Sequence, residues 1–219
     1  CYVTSLTSSG VGVHGSGTMA LMTGNVFRGC HQQGLVVYDG ATLHSTKDTL
    51  EDNKYCGCEV KANSEIKMTS ATIARNTSVG VVFAEDSGGI LEACKISGSQ
   101  LYGVEVKERA KPHLVGVNIH KIRKSGIMVY GEPRLTGKCE IYKCKKHGIE
   151  VVAPGNPHVE GAHIHDMELC GISIMHATGT YTKNNIYSNK SHNVEVLDHS
   201  APTFGPANQV HGGGASGVY

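Results

Sequence analysis

Tryptophan is absent, and aromatic residues make up only 5% of the chain. Sugar-binding grooves commonly offer aromatic platforms, so this scarcity argues against a polysaccharide enzyme. Charge of one sign is lacking too, with a formal net charge of +1. No strong field exists to gather nucleic acid or an anionic membrane. Apolar runs stay far short of the roughly 20 residues that span a bilayer. Aspartate is sparse (Asp39, Asp48, Asp52, Asp86, Asp166, Asp198), and no two stand at one position of neighbouring repeats. Clustered carboxylates for acid–base work or calcium are therefore missing. Asp48 and Asp52 come closest, and the pair reads as a solvated turn.

What the chain has is a period. Glycine returns every 22 to 24 residues, at Gly10, Gly34, Gly57, Gly80, Gly103, Gly126, Gly148, Gly171 and Gly217, with Asn193 in the remaining slot. An apolar–x–apolar pair follows each one, from Val11/Val13 through Val104/Val106 to Val194/Val196. One more aliphatic closes each unit: Val26, Leu50, Ile73, Ile96, Ile119, Ile141, Ile164, Ile186 and Val210. Spacing by two is the strand period, and no helical spacing accompanies it. A fixed repeat of this length marks an architecture in which each unit buries its apolar side only against its neighbours. The expected fold is all-β: a right-handed parallel β-helix of about nine coils, residues 1–219 forming one domain. The recurrent glycine is expected to supply a positive φ where the chain bends into the first strand. Pro112, Pro157 and Pro202 lie 45 residues apart, with Gly88-Gly89, Gly131 and Gly179 in the intervening turns, which suggests a two-coil unit. Because the pattern is open at both ends, the chain is expected to be a fragment or an assembly subunit, its uncapped ends available to partners.

The eight cysteines do not align into neighbouring pairs. They read as small buried hydrophobes of a reducing compartment, so the expected location is cytoplasmic, with cytoskeletal association. Asn76-Thr77-Ser78 and Asn189-Lys190-Ser191 match the glycosylation sequon, a tripeptide common by chance. No motif implies a metal or a cofactor. His163 and His165 flank an inward Ile164 at ligand-like spacing, but the outward column His120, Tyr142, His165, Tyr187, His211 reads better as a stacked ladder. Outward on the first strand, Glu59, Glu105, Glu150 and Glu195 recur in every second coil. Toward the C-terminal end the same face becomes apolar, with Met128, Tyr130, Val152, Met175 and Leu197. An exposed apolar patch of this kind marks a protein contact.

The runs Gly148-Ile-Glu-Val-Val, Asn156-Pro-His-Val-Glu-Gly and Asn184-Asn-Ile-Tyr-Ser-Asn189 resemble the carbohydrate-binding-and-sugar-hydrolase type of β-helix repeat. The likeness is greatest to the β-helix regions of F-box-only substrate receptors and Shc-binding spindle proteins, and it implies a recognition or scaffold surface. His147-Gly148 is similar to the His-Gly of polygalacturonases, but the accompanying Asn-x-Asp and Asp-Asp pairs are missing. Asn156-Pro157-His158 is similar to the Asp-Pro-His of alginate epimerases, with Asn in place of Asp. The leading expectation is therefore a non-enzymatic scaffold that binds protein along the first-strand face, without catalytic residues. The alternative is a polysaccharide-binding protein, or a lyase, hydrolase or epimerase of the pectin-lyase-like superfamily.

Overall fold

A computed structural model describes residues 1–214. Three parallel sheets of ten, nine and nine strands wind through the chain, each coil adding one short strand to each sheet. In one coil these are Val104–Val106, Lys111–Val115 and Asn118–His120. Alternation sets which way each side chain faces: Val104, Val106, Leu114 and Ile119 are fully buried, whereas Glu105, His113 and His120 face outward. Every inward residue stacks on its counterpart one coil away. Val81, Val104, Ile127, Ile149 and Ile172 form such a column on the first strand. Ile73, Ile96, Ile119, Ile141, Ile164 and Ile186 form another on the third. The register corrects this second column at its start, where Phe27 and not Val26 pairs with Leu50. Phe27 is buried and Val26 only partly so.

The glycine column has a different cause from the expected one. Positive φ is absent at Gly34, Gly57, Gly80, Gly103, Gly126, Gly148 and Gly171. The constraint is close approach: a Cβ on Gly103 would lie 2.7 Å from the Gly126 carbonyl oxygen and 2.7 Å from Ile119 Cγ2. The left-handed column stands elsewhere, just after the third strand, at Gly29, Asp52, Arg75, Gly98, Lys121, Lys143, Asp166, Ser188 and Gly212. Most of its members carry side chains, so nothing in their residue type announces it. Gly217 lies outside the described residues. The proline pattern is corrected as well. Pairing of His113 with Arg134 and of Arg134 with His158 sets Pro133 in one column with Pro112 and Pro157, which breaks the strict alternation.

The residue following each left-handed turn points inward, and in the N-terminal coils it is polar. Asn53 and Asn76 are fully buried and form a ladder. Asn53 Oδ1 accepts the Cys30 amide (3.0 Å), and Asn76 Oδ1 accepts both the Asn53 amide (3.1 Å) and Asn53 Nδ2 (3.0 Å). Farther along, Ile122, Cys144 and Met167 take over, and Asn189 returns. Both sequon asparagines are thus interior hydrogen-bonding groups and not surface acceptors for sugar. Asp48 overturns its reading as part of a solvated turn. It is buried and accepts the Asn25 amide and Ser45 Oγ, each at 2.6 Å. Asp52 stays at the surface between Arg28 and Arg75, whose hydrogen bond and charge hold its carboxyl below the usual range. All eight cysteines are free thiols, seven of them buried.

Candidate functional site

The outer face of the first-strand sheet carries three columns of side chains. Two follow from the strand period: the Glu column (Glu59, Glu105, Glu150, Glu195) and the column two residues on (Tyr38, Lys61, Lys107, Tyr130, Val152, Met175, Leu197). The third precedes the glycine and was missed in the sequence: Gln33, Cys56, Val79, Tyr102, Ser125, His147, Cys170 and His192. Its members share no chemistry, and the period alone could have revealed it.

Midway along this face lies a cleft of about 540 Å³, lined by Glu59, Glu105, Lys107, Arg109 and Tyr130 among others. Buried Ala84 lines it, and buried Val82 stands between Glu59 and Glu105 in the strand register. Glu59 is held by Gln33 Nε2 and by Lys61 Nζ at 3.8 Å. The Glu105 carboxylate accepts no side-chain or backbone hydrogen bond among the described residues. Burial raises its pKa, Lys107 partly opposes this, and Glu59 adds to it. Tyr130 is also raised by burial and by Glu105 and Glu150, so its hydroxyl stays protonated. Tyr102 is pushed up to about 12, chiefly by burial. Arg109 reaches Asp86 at 3.0 Å. The cleft therefore combines four glutamates, of which Glu105 has its pKa raised by burial, with a phenol and two cations, Lys107 and Arg109. A second cleft, of about 770 Å³, lies among Lys121, Arg123, Lys143 and Lys145, but its carboxylate Asp166 is exposed, and Glu168, half-buried, is already paired with Lys145 and Lys190.

Beyond Tyr130 the face does not match the expected apolar contact patch. Met128 is buried under its neighbours, and Tyr130 belongs to the cleft. Val152 is half-buried, and only Met175 and Leu197 are exposed, at 38% and 39%. Between them run polar groups. Glu150 accepts Ser125 Oγ, and Glu195 accepts Ser173 Oγ at 3.0 Å. His147 Nδ1 accepts the Cys170 amide at 3.3 Å, which places the proton of the neutral ring on Nε2. Burial lowers the pKa of His147 against the opposing pull of Glu150 and Glu195. Cys170, His192 and Glu195 bring a thiol, an imidazole and a carboxylate within 4.8 Å of one another.

On the third-strand sheet, the rings of His120, Tyr142, His165, Tyr187 and His211 stack in sequence, with centroids 5.0, 5.3, 4.7 and 5.3 Å apart. Asn118 Oδ1 and Asn185 Oδ1 engage the ladder at His120 and His211. His163 is exposed, and no three-ligand cluster includes it among the described residues. His158, of the Asn-Pro-His run, lies on the second-strand sheet beside Glu160, at 3.8 Å.

Three stacked parallel sheets with inward aliphatic columns define a β-solenoid. The chain belongs to the family described as "Right handed beta helix region", whose model matches residues 9–136 and 59–210. Its structure is similar to a mutant form of the periplasmic alginate epimerase AlgG, with a TM-score of 0.86 at 12% identity, covering 95% of this chain and 58% of that one. Pectate lyase Pel9A follows at 0.67 and 11%, covering 87% and 62%. The enzymatically active domain of bacteriophage CBA120 tailspike protein 2 gives 0.66 and 12%, covering 93% and 38%. This chain thus spans less than two thirds of each of those structures. No curated protein sequence matches it.

At these identities the likeness establishes the fold. It also corrects the expectation of a non-enzymatic protein-binding scaffold, because the solved folds this chain follows are an epimerase, a lyase and an enzymatically active tailspike domain. The likeness to F-box-only receptors rests on repeat residues alone. Two of the few aromatics, Tyr102 and Tyr130, stand along the first-strand face. The described residues contain no helix long and apolar enough to cross a membrane.

Proposed function

We propose that the chain binds an acidic polysaccharide along its first-strand sheet and abstracts the proton beside a uronate carboxylate, as a lyase or epimerase. One observation carries the reading: the cleft places Glu105, half-buried and free of hydrogen-bond donors, with Lys107, Arg109 and Tyr130. Such chemistry needs a base near its operating pH, a cation to neutralise the substrate carboxylate and an acid. Glu105 is the base and takes the C5 proton, and the released electron pair enters the carboxyl group as an enolate. Lys107 and Arg109 hold that charge. In elimination the enolate pair forms the C4=C5 double bond, the C4–O bond breaks and Tyr130 protonates the leaving glycosidic oxygen; in epimerisation Tyr130 instead protonates the opposite face of C5. The likeness to solved alginate epimerase and pectate lyase folds supports this substrate class. The free thiols support a reducing compartment, the cytoplasm.

The test is incubation with alginate and with pectate, following unsaturated-uronate absorbance and C5 inversion by proton NMR. Turnover that disappears in Glu105→Gln, with the fold retained, supports the proposal. Silence of the wild-type chain on both polymers, or full activity of Glu105→Gln, overturns it.

A further inference from the structure

We infer that Cys170, His192 and Glu195 form a binding site for a thiophilic divalent cation of the zinc class. The site lies toward the C-terminal end of the first-strand face, and nothing in it depends on the polysaccharide reading. Its geometry comes from the coil. Cys170 and His192 stand at the same position of adjacent coils, each just before the residue that opens the first strand. Stacked positions are separated by about 4.8 Å. Glu195 follows His192 at i+3, on the strand Val194–Leu197. The three ligand atoms fall within 4.8 Å of one another. Around a tetrahedral zinc, a sulfur and a nitrogen ligand lie roughly 3.5 Å apart, so side-chain adjustment of about an ångström closes the set.

The neighbours of the three ligands point the same way. Ser173 Oγ donates to Glu195 Oε2 at 3.0 Å, while Glu195 Oε1 lies 3.7 Å from His192 Nδ1. One carboxylate oxygen is thus anchored from outside and the other turned toward the imidazole. Supporting hydrogen bonds of this kind orient metal ligands. His147 Nδ1 receives the Cys170 amide, which holds the backbone bearing the thiol, and Ser191 Oγ and Glu195 Oε1 both lie on the Nδ1 side of the His192 ring, leaving Nε2 as the ring's ligand atom. The donor set selects the ion. Calcium and magnesium take oxygen ligands, whereas a thiol–imidazole–carboxylate set suits zinc or cobalt. Cys170 is buried, while His192 and Glu195 are partly so. Uptake releases the thiol proton, so affinity rises with pH.

The experiment uses the whole chain in its reduced, metal-free form. Zinc is titrated against a chromophoric chelator, and cobalt(II) is added separately to read the sulfur-to-cobalt charge-transfer absorption. Cys1→Ser serves as the background, because Cys1 is the exposed thiol of the set. One zinc per chain, and a cobalt–sulfur band lost in Cys170→Ser, are expected. Glu195→Gln and His192→Asn, whose side chains are partly exposed and replaceable without disturbing the core, are expected to weaken zinc at least tenfold. No stoichiometric binding, or binding and band unchanged in Cys170→Ser, would overturn the assignment. Circular dichroism of each variant separates loss of the ligand from loss of the fold.

Discussion

Replacing Asn76 with alanine tests whether the interior asparagine ladder holds the N-terminal coils in place. Asn76 is fully buried. Its Oδ1 accepts the Asn53 amide at 3.1 Å and Asn53 Nδ2 at 3.0 Å, and its Nδ2 donates to the Leu50 carbonyl at 3.2 Å. Alanine deletes both partner atoms: it orphans the buried Asn53 amide and removes one bond each from the Leu50 carbonyl and from Asn53 Nδ2, which keeps the Phe27 carbonyl at 3.3 Å. An orphaned group costs about 1–3 kcal/mol and a lost bond about 0.5–1.5 kcal/mol, and neighbouring losses do not add fully, so the expected cost is roughly 2–5 kcal/mol. That is a large share of the ~5–15 kcal/mol that stabilises a typical domain. The assay is urea unfolding by circular dichroism, paired with hydrogen exchange at the Asn53 amide, because solenoids do not always unfold in one step. Asn76→Asp is the companion variant. It keeps an acceptor oxygen but buries a carboxyl, so it is expected to be least damaging at low pH, where that carboxyl is protonated. A loss under about 1 kcal/mol for Asn76→Ala, with the Asn53 amide still protected, would mean that water or relaxation replaces the ladder and that the reasoning is wrong.

Other outcomes follow from the same geometry. Gly103→Ala is expected to cost more than about 3 kcal/mol in a thermal or urea melt, since its Cβ would meet the Gly126 carbonyl oxygen and Ile119 Cγ2, each at 2.7 Å. Gly24→Ala, with open space around it and a φ of +66°, is expected to cost only about 1 kcal/mol. Ser99 Oγ is buried without a partner, so Ser99→Ala is expected to be neutral or stabilising in the same melts. The lowered pKa of His147 contributes nothing above the ordinary histidine value of 6.5, where both states are neutral. As pH falls below it, the unfolded chain takes up a proton that the folded chain resists, and stability is lost. His147→Gln is therefore expected to flatten the decline in melting temperature on the acid side of pH 6.5.

Inward columns were legible in the sequence because stacking asks for the same thing in every coil. A residue on the axis side meets its own counterpart above and below, so Ile119, Ile141, Ile164 and Ile186 repeat as nearly identical side chains. The glycine column was legible as a pattern and misread as a cause, since close approach and positive φ both select glycine and a sequence records only the selection. The left-handed turn shows the converse. Its backbone conformation repeats in every coil, yet Asp52, Arg75, Lys121 and Ser188 share no type, because an exposed turn tolerates a strain of about 1 kcal/mol. Outward columns carry the weakest signal of all. Tyr102, Ser125, His147, Cys170 and His192 occupy one line outside the core, where stacking does not ask for the same side chain in every coil. Their dissimilarity hid the column and is also what gives it chemistry. A coil repeats geometry at about 4.8 Å intervals, and where two successive repeats place a thiol and an imidazole at one position, that interval brings them within reach of a single ion.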